Sequence, residues 1–412
     1  MEFPFLGKRI TGWKRGLIQS DSTLALMARN RDPLQRIPLT SVLLLCFVGI
    51  LINAATVGPW RISSNFRGYS DFRHLYTGAT LATSGHLYDV DFVLATQTEL
   101  FGGTTRSMIP IRLPFYYAFL SPLAKVPFKV GQRFWLGAMT LAIGIFVGLC
   151  SGLGRARTAI ACCWSWPLLW SLPQGQDVAL LLLLMGAGLW AIYARKNWWL
   201  AGLLFSLCLI KFNLFLLFPL LIIGKRKWRL AGGFLTGATC LMGVSFLVAG
   251  WEWPRPYVSL IFDPHETPGL GAMPNLRGLV VNLHGPRGVE YVFSLAVIGM
   301  VWWVVRHRPF GVAAAATLLG SVLLSQHAYI HDYAILIPAL LTLTRSASGA
   351  LARFCALLLL LPVPYEISFY RLSGTVLAVL LLVLMTAVTW ESRNRRTLSL
   401  QAELQSRGGG QT

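Results

Sequence analysis

Hydrophobic residues occur in this chain as long, nearly unbroken runs, separated by short polar or proline-containing stretches. Crossing a hydrocarbon core of about 30 Å takes roughly 20 apolar residues in helical form. The pattern therefore predicts an all-α polytopic membrane protein with about 12 transmembrane helices. The spans read as 38–58, 113–128, 134–153, 157–173, 177–194, 198–223, 230–250, 289–305, 309–326, 331–344, 350–364 and 373–390. They form one membrane domain over 38–390, preceded by an arm over 1–37 and followed by a partly disordered tail over 391–412. With a first span this long and 37 residues ahead of it, an uncleaved anchor is expected rather than a signal peptide.

Two loops stand out by length, about 59–112 and 251–288. In the first, Phe72, Leu75, Tyr76, Ala79 and Ala82 recur at helical spacing, with Ser70 placed to cap and Gly85 to terminate. This predicts a short amphipathic helix along the membrane surface, followed by a second over about 89–101. In the other loop Leu276, Leu279, Val280 and Leu283 form the apolar side of a helix that Asn275 would cap.

Composition agrees: 55% of residues are hydrophobic and only 13% charged, which excludes an ordinary soluble domain. The net charge of +20 would suit nucleic acid if it were gathered on one face, but it is scattered between apolar runs. Its reading is topological, and no nucleic-acid partner is expected. Lys8, Arg9, Lys14, Arg15, Lys225, Arg226, Lys227, Arg306, Arg308, Arg393, Arg395 and Arg396 share one side when the N-terminus is cytoplasmic. The positive-inside rule then places both termini in the cytoplasm and both long loops on the exoplasmic side of a plasma (inner) membrane. Seven cysteines without C-x-x-C spacing indicate neither a disulfide framework nor a zinc site.

Asp71 opens the first predicted loop helix within Tyr69-Ser70-Asp71-Phe72-Arg73-His74. A helix start favours an ionised carboxylate, so the position suits a general base as well as a plain helix cap. Lys211 lies in an apolar span, where an ammonium needs an anionic partner: a lipid phosphate or an acidic side chain. His327, Tyr329, His331, Asp332 and Tyr333 cluster between two spans. Two histidines four apart share one face of a helix and form half of a metal site, yet no third ligand is evident and phosphate or sugar bonding fits better. Asp89-Val90-Asp91 has the form of a cation-holding D-x-D pair, but three residues are too few to be specific and capping of the next helix explains the pair better. Asp263, His265 and Glu266 sit in a proline-rich loop that solvation alone would account for. Gln174-Gly175-Gln176-Asp177 reads as a polar break between apolar runs, either a turn between spans or the tip of a re-entrant pair. Neither a metal nor a cofactor is expected.

Several segments together resemble glycosyltransferase family 87 of the GT-C superfamily. They are Asp71-Phe72 with Gly85-His86-Leu87-Tyr88-Asp89, Leu113-Pro114-Phe115-Tyr116-Tyr117 to Ser121-Pro122-Leu123, Gly175-Gln176, Ala201-Gly202 with Lys211, and Ser325 to Asp332. The resemblance implies a membrane enzyme that takes mannose or another hexose from a polyprenyl-phosphate carrier. It implies Asp71 as catalytic base and His331 as a phosphate ligand, with Lys211 matching a lysine of the equivalent span. At His331 the chain departs from relatives, having Ser325-Gln326 where they carry Ser-Pro and one histidine where they carry two.

A glycosyl phosphate is already a good leaving group, so inverting displacement needs one base and cationic or hydrogen-bonding groups for the phosphate. Lys211, His331, Arg73, His74, Arg112, His327 and Asp332 are the candidates for binding phosphate or sugar. A retaining mechanism would need a second carboxylate as nucleophile. The acceptor would be a glycolipid, glycan or lipid in the bilayer. A transporter or lipid-carrier flippase is the rival reading, although no internal repeat is visible.

Overall fold

The structure, a computed structural model, describes residues 37–58, 70–103, 109–262, 269–346, 349–371 and 373–408. Nearly all of the expected N-terminal arm, together with Asp263, His265 and Glu266, lies outside the described residues. The regular structure among the described residues is entirely helical. In chain order the α-helices begin with α1 (Leu39–Val57), α2 (Phe72–Leu81), α3 (Val90–Phe101), α4 (Pro114–Leu120), α5 (Phe128–Leu149) and α6 (Arg155–Trp164). They continue with α7 (Trp166–Gln174), α8 (Val178–Tyr193), α9 (Trp198–Ser206), α10 (Phe218–Lys225), α11 (Trp228–Ala249), α12 (Pro254–Phe262) and α13 (Leu276–Asn282). The last are α14 (Arg287–His307), α15 (Phe310–Leu324), α16 (Ile337–Arg345), α17 (Ala350–Leu358), α18 (Val363–Tyr370) and α19 (Thr375–Gly408).

Among the described residues, six helical segments are long and apolar enough to cross a membrane: Leu39–Val57, Phe128–Leu149, Trp198–Phe215, Trp228–Ala249, Arg287–His307 and Thr375–Asn394. The bent pair α17 and α18, meeting at 58°, makes a seventh if it counts as one span. The chain is a membrane-embedded protein whose other apolar runs are divided into shorter pieces.

Proline explains most of the divisions. Over 113–128, Pro114 opens α4, a 3₁₀ turn over Ser121–Lys125 carries Pro122, and Pro127 caps α5, so no single span forms. The run 157–173 divides at Ser165, whose Oγ accepts from Leu168 N at 3.4 Å ahead of Pro167 in α7. The run 331–344 begins as a 3₁₀ helix over Ile330–Leu336 and becomes α16 at Pro338.

Glycine sets the closest helix contact. A Cβ on Gly202 of α9 would overlap the Leu230 carbonyl oxygen of α11, and one on Gly233 would overlap that of Trp199. Small residues let the two backbones approach where lipid gives no hydrophobic drive to association.

Helix α2 forms where the periodicity predicts it, but it is not a surface helix with a polar face. Phe72, His74, Leu75, Tyr76, Thr77, Gly78, Ala79 and Leu81 are all buried. It packs against α4 and the 3₁₀ turn that follows, and Gly78 lies directly under the Tyr117 ring. Asp89 caps α3 by accepting from Phe92 N at 3.2 Å, and Asn275 caps α13 by accepting from Gly278 N at 2.8 Å. Both are as the sequence predicts.

Candidate active site

The segment from α7 to α8 holds the site together. α7 ends at Gly175 in the left-handed conformation (φ 75°), with Gly175 N–H donating to Leu172 O and Gln176 N–H to Ser171 O. Glycine is required twice over here, because a Cβ would also meet Phe72 Cβ at 2.6 Å. Trp135 Nε1 donates to the Gly175 carbonyl at 2.9 Å, and the Trp135 ring stacks against Phe72 with centroids 6.0 Å apart. This clamp sets the α7 terminus against the start of α2. It brings Gln176 to Asp71, although 105 residues separate them.

Asp71 holds the N-cap position of α2 but makes no side-chain cap bond. Its Oδ2 accepts from Gln176 Nε2 at 2.6 Å. Ser70 does not cap either, since its Oγ accepts from Gln132 Nε2 at 2.9 Å. The reading of Asp71 as a plain helix cap therefore fails on geometry.

Lys211 stands at a break in its helix, with φ −128° and ψ 62° inside the 3₁₀ stretch Leu207–Phe215. Its ammonium meets Asp332 Oδ1 at 2.7 Å, Asp177 Oδ1 at 3.0 Å and Gln176 Oε1 at 3.3 Å. The partner expected from sequence is thus acidic side chains of the protein. Arg112 reaches Asp177 from the other side, with Nε donating to Oδ2 at 3.0 Å and Nη2 to Oδ1 at 3.4 Å. Asp332 Oδ2 accepts from Tyr329 N at 3.0 Å. The 3₁₀ segment Ile330–Leu336 packs on α7 and α8, which is why Asp332 arrives beside Asp177 at the start of α8.

Asp71, His74, Arg112, Lys211, His327, His331 and Asp332 all line one cavity of about 580 Å³. Arg73 does not. It points to the other side of α2, with its guanidinium 4.8 Å from the Phe101 ring centre. His327 precedes the 3₁₀ helix that carries His331, so the two imidazoles do not share an α-helical face. They are bridged by Tyr329, whose ring lies 4.9 Å from that of His327 and 6.0 Å from that of His331. Among the described residues no three His, Cys, Asp or Glu side chains converge as a metal would need. Burial, with the Arg112 charge second, lowers the His74 pKa to about 3, and burial lowers that of His327 to about 4. Both are neutral at pH 7 and offer hydrogen bonds rather than charge. His74 Nε2 is buried without a partner among the described residues.

The model of glycosyltransferase family 87 matches residues 114–325, half of the chain. The chain belongs to glycosyltransferase family 87. It is similar, at 27% identity over 87% of its length and 86% of the relative's, to a polyprenol-phosphate-mannose-dependent alpha-(1-2)-phosphatidylinositol pentamannoside mannosyltransferase of Mycobacterium tuberculosis. A protein of the same description from Mycolicibacterium smegmatis is 28% identical over 72% of this chain and 76% of its own. No solved structure gives a significant match.

Two residues that sequence reading left as parts of a polar turn also belong to this network of contacts in the family 87 glycosyltransferase. Asp177 is fully buried between Arg112 and Lys211, and Gln176 joins Lys211 to Asp71. A signal was present: a charged residue four positions after a proline and directly before an apolar run must either cap a helix or be paired. Asp177 makes no cap bond.

Proposed function

We propose that the protein transfers mannose from a polyprenyl-phosphate carrier to a hydroxyl of a membrane glycolipid, with inversion, at the exoplasmic face. The donor class follows the relatives' descriptions, and mannosylated phosphatidylinositols are the first acceptors to try. The outward orientation is supported by the distribution of Lys and Arg along the chain.

The observation that carries the mechanism is the contrast among three carboxylates. Asp177 and Asp332 are buried and held by cations, whereas Asp71 is half-buried, lines the cavity and is held by a neutral amide. A carboxylate without a cation partner is the one able to take a proton. In the proposed step Asp71 removes the acceptor's hydroxyl proton while that oxygen bonds to the sugar C1. The bond from C1 to the phosphate oxygen breaks, and its electron pair leaves on the polyprenyl phosphate. One carboxylate suffices because the leaving group needs no protonation.

The phosphate falls to Arg112 and to hydrogen bonds from His327 and His331. Arg112 spends two of its donors on Asp177 and keeps others for a second anion. Lys211 and Asp332 neutralise each other in the cavity wall, and His74 is placed for a sugar hydroxyl rather than for charge.

The test is Asp71→Asn, assayed with labelled polyprenyl-phosphate mannose and a glycolipid acceptor. Transfer is expected to fall by about 10²- to 10⁴-fold, with insertion and thermal stability retained. Full activity in that variant would overturn the mechanism, and movement of the carrier across vesicles without a new glycoside would overturn the enzyme reading itself.

A further inference from the structure

We infer that Gln176, orientated by Lys211, is a positioning residue for the base and selects which oxygen of Asp71 takes the proton. This rests on the reading of Asp71 as the base and adds a device behind it.

The argument is one of donors and acceptors. An ammonium has three N–H groups and no acceptor, while an ionised carboxylate only accepts. Lys211 has three acceptors around it, Asp332 Oδ1, Asp177 Oδ1 and Gln176 Oε1, so its three donors are matched within the protein. The Gln176 amide lies between this ammonium and the Asp71 carboxylate. Only one orientation serves both: carbonyl oxygen to the ammonium, NH₂ to the carboxylate. The flipped amide would set donor against donor on one side and acceptor against acceptor on the other. Lys211 thereby fixes the amide, and the amide fixes Asp71.

The backbone adds rigidity. Gln176 follows a left-handed glycine whose carbonyl is held by Trp135 and whose Cα packs on Phe72, the residue after Asp71. Side chain and backbone thus connect the same two segments. Gln176 Nε2 occupies Asp71 Oδ2, so Oδ1 has no hydrogen-bond partner among the described residues on a side chain that lines the cavity. Oδ1 is the oxygen that receives the acceptor's proton. The amide orders the base without adding positive charge beside it, which a lysine in direct contact would do at the expense of basicity.

The experiment compares Gln176→Met and Gln176→Glu with the parent enzyme, using kcat, KM for the lipid donor, the pH profile and the thermal midpoint. Gln176→Met keeps length and loses the donor. It is expected to lower kcat about 10- to 100-fold with KM unchanged and only a small drop in thermal midpoint, from the Lys211 N–H left without its Gln176 acceptor. Gln176→Glu keeps the contact with Lys211 but puts a like charge beside Asp71, so the acid limb of activity moves to higher pH. The titratable and charged groups that line the same cavity as Asp71 and are constant across the series are His74, Arg112, Lys211, Tyr257, His327, Tyr329, His331 and Asp332. Adding Gln176→Met to Asp71→Asn should cost nothing further, because the amide acts only through the base. Parent-like kcat in Gln176→Met beside an inactive Asp71→Asn would overturn this inference and leave the base reading intact. A fall in kcat accompanied by raised KM and a much lower thermal midpoint would reduce Gln176 to a structural residue and overturn it too. An active Asp71→Asn enzyme would instead overturn the base reading.

Discussion

A lysine in an apolar span announces a partner without naming it. Lys211 was legible as needing an anion, but Asp177 and Asp332 lie 34 and 121 positions away in sequence, and no local pattern connects them. Asp332 was legible as one of a polar cluster, while Asp177 was hidden in a stretch that reads as an ordinary polar turn. The pairing has an energetic consequence that belongs to single residues. Asp177 is completely buried and faces two cations, so Asp177→Asn leaves Arg112 and Lys211 with only Asp332 between them. Breaking a buried ion pair from one side costs about 3–5 kcal/mol, because the charge left behind remains desolvated. Thermal unfolding in detergent should show that loss for Asp177→Asn and a partial recovery for Asp177→Asn combined with Arg112→Gln. A double variant less stable than the single one would show that the charges are not coupled through Asp177.

Elements were legible where local chemistry decides them and lost where tertiary packing does. Asp89 and Asn275 cap the helices assigned to them, since a cap is a contact within four residues. The long spans were over-drawn because hydrophobicity alone ignores Pro114, Pro122, Pro127, Pro167 and Pro338, which open or interrupt the helices they sit in. The amphipathic period in α2 correctly marked a helix, but burial of His74 and Thr77 on its polar side comes from packing against α4 and neighbouring segments. Glycine pairs are the clearest case of packing that composition conceals. Gly232 and Gly233 are adjacent on α11, yet a Cβ on Gly233 would overlap the Trp199 carbonyl, while one on Gly232 would rest 3.8 Å from Trp199 Cδ1. Gly232→Ala is therefore expected to be neutral or slightly stabilising, as a helical glycine replaced by alanine usually is. Gly233→Ala must push α9 and α11 apart, at about 1–3 kcal/mol. Equal thermal midpoints for the two variants would show that the helices are not held at that distance.

At the scale of the whole molecule, the net charge of +20 contrasts with a cavity that is nearly balanced within itself. Arg112 and Lys211 are set against Asp177 and Asp332, and Asp71 is the additional anion. A lipid phosphate entering this cavity needs either unspent guanidinium donors or imidazole hydrogen bonds, and the imidazoles offer no charge at pH 7. His74 and His327 are held at about 3 and about 4 instead of the ordinary 6.5, chiefly by burial. The sign of the effect on stability follows from proton counting. Between pH 6.5 and about 4 the unfolded chain protonates these two residues and the folded chain does not, so acidification favours unfolding. Their contribution is complete above 6.5, declines as pH falls below it, and is lost once pH reaches the folded values. The thermal midpoint in detergent should therefore fall steadily from pH 7 to pH 5 at constant ionic strength. Replacing both by glutamine, which cannot charge, should flatten that slope; a slope as steep in His74→Gln/His327→Gln as in the parent would place the acid sensitivity elsewhere.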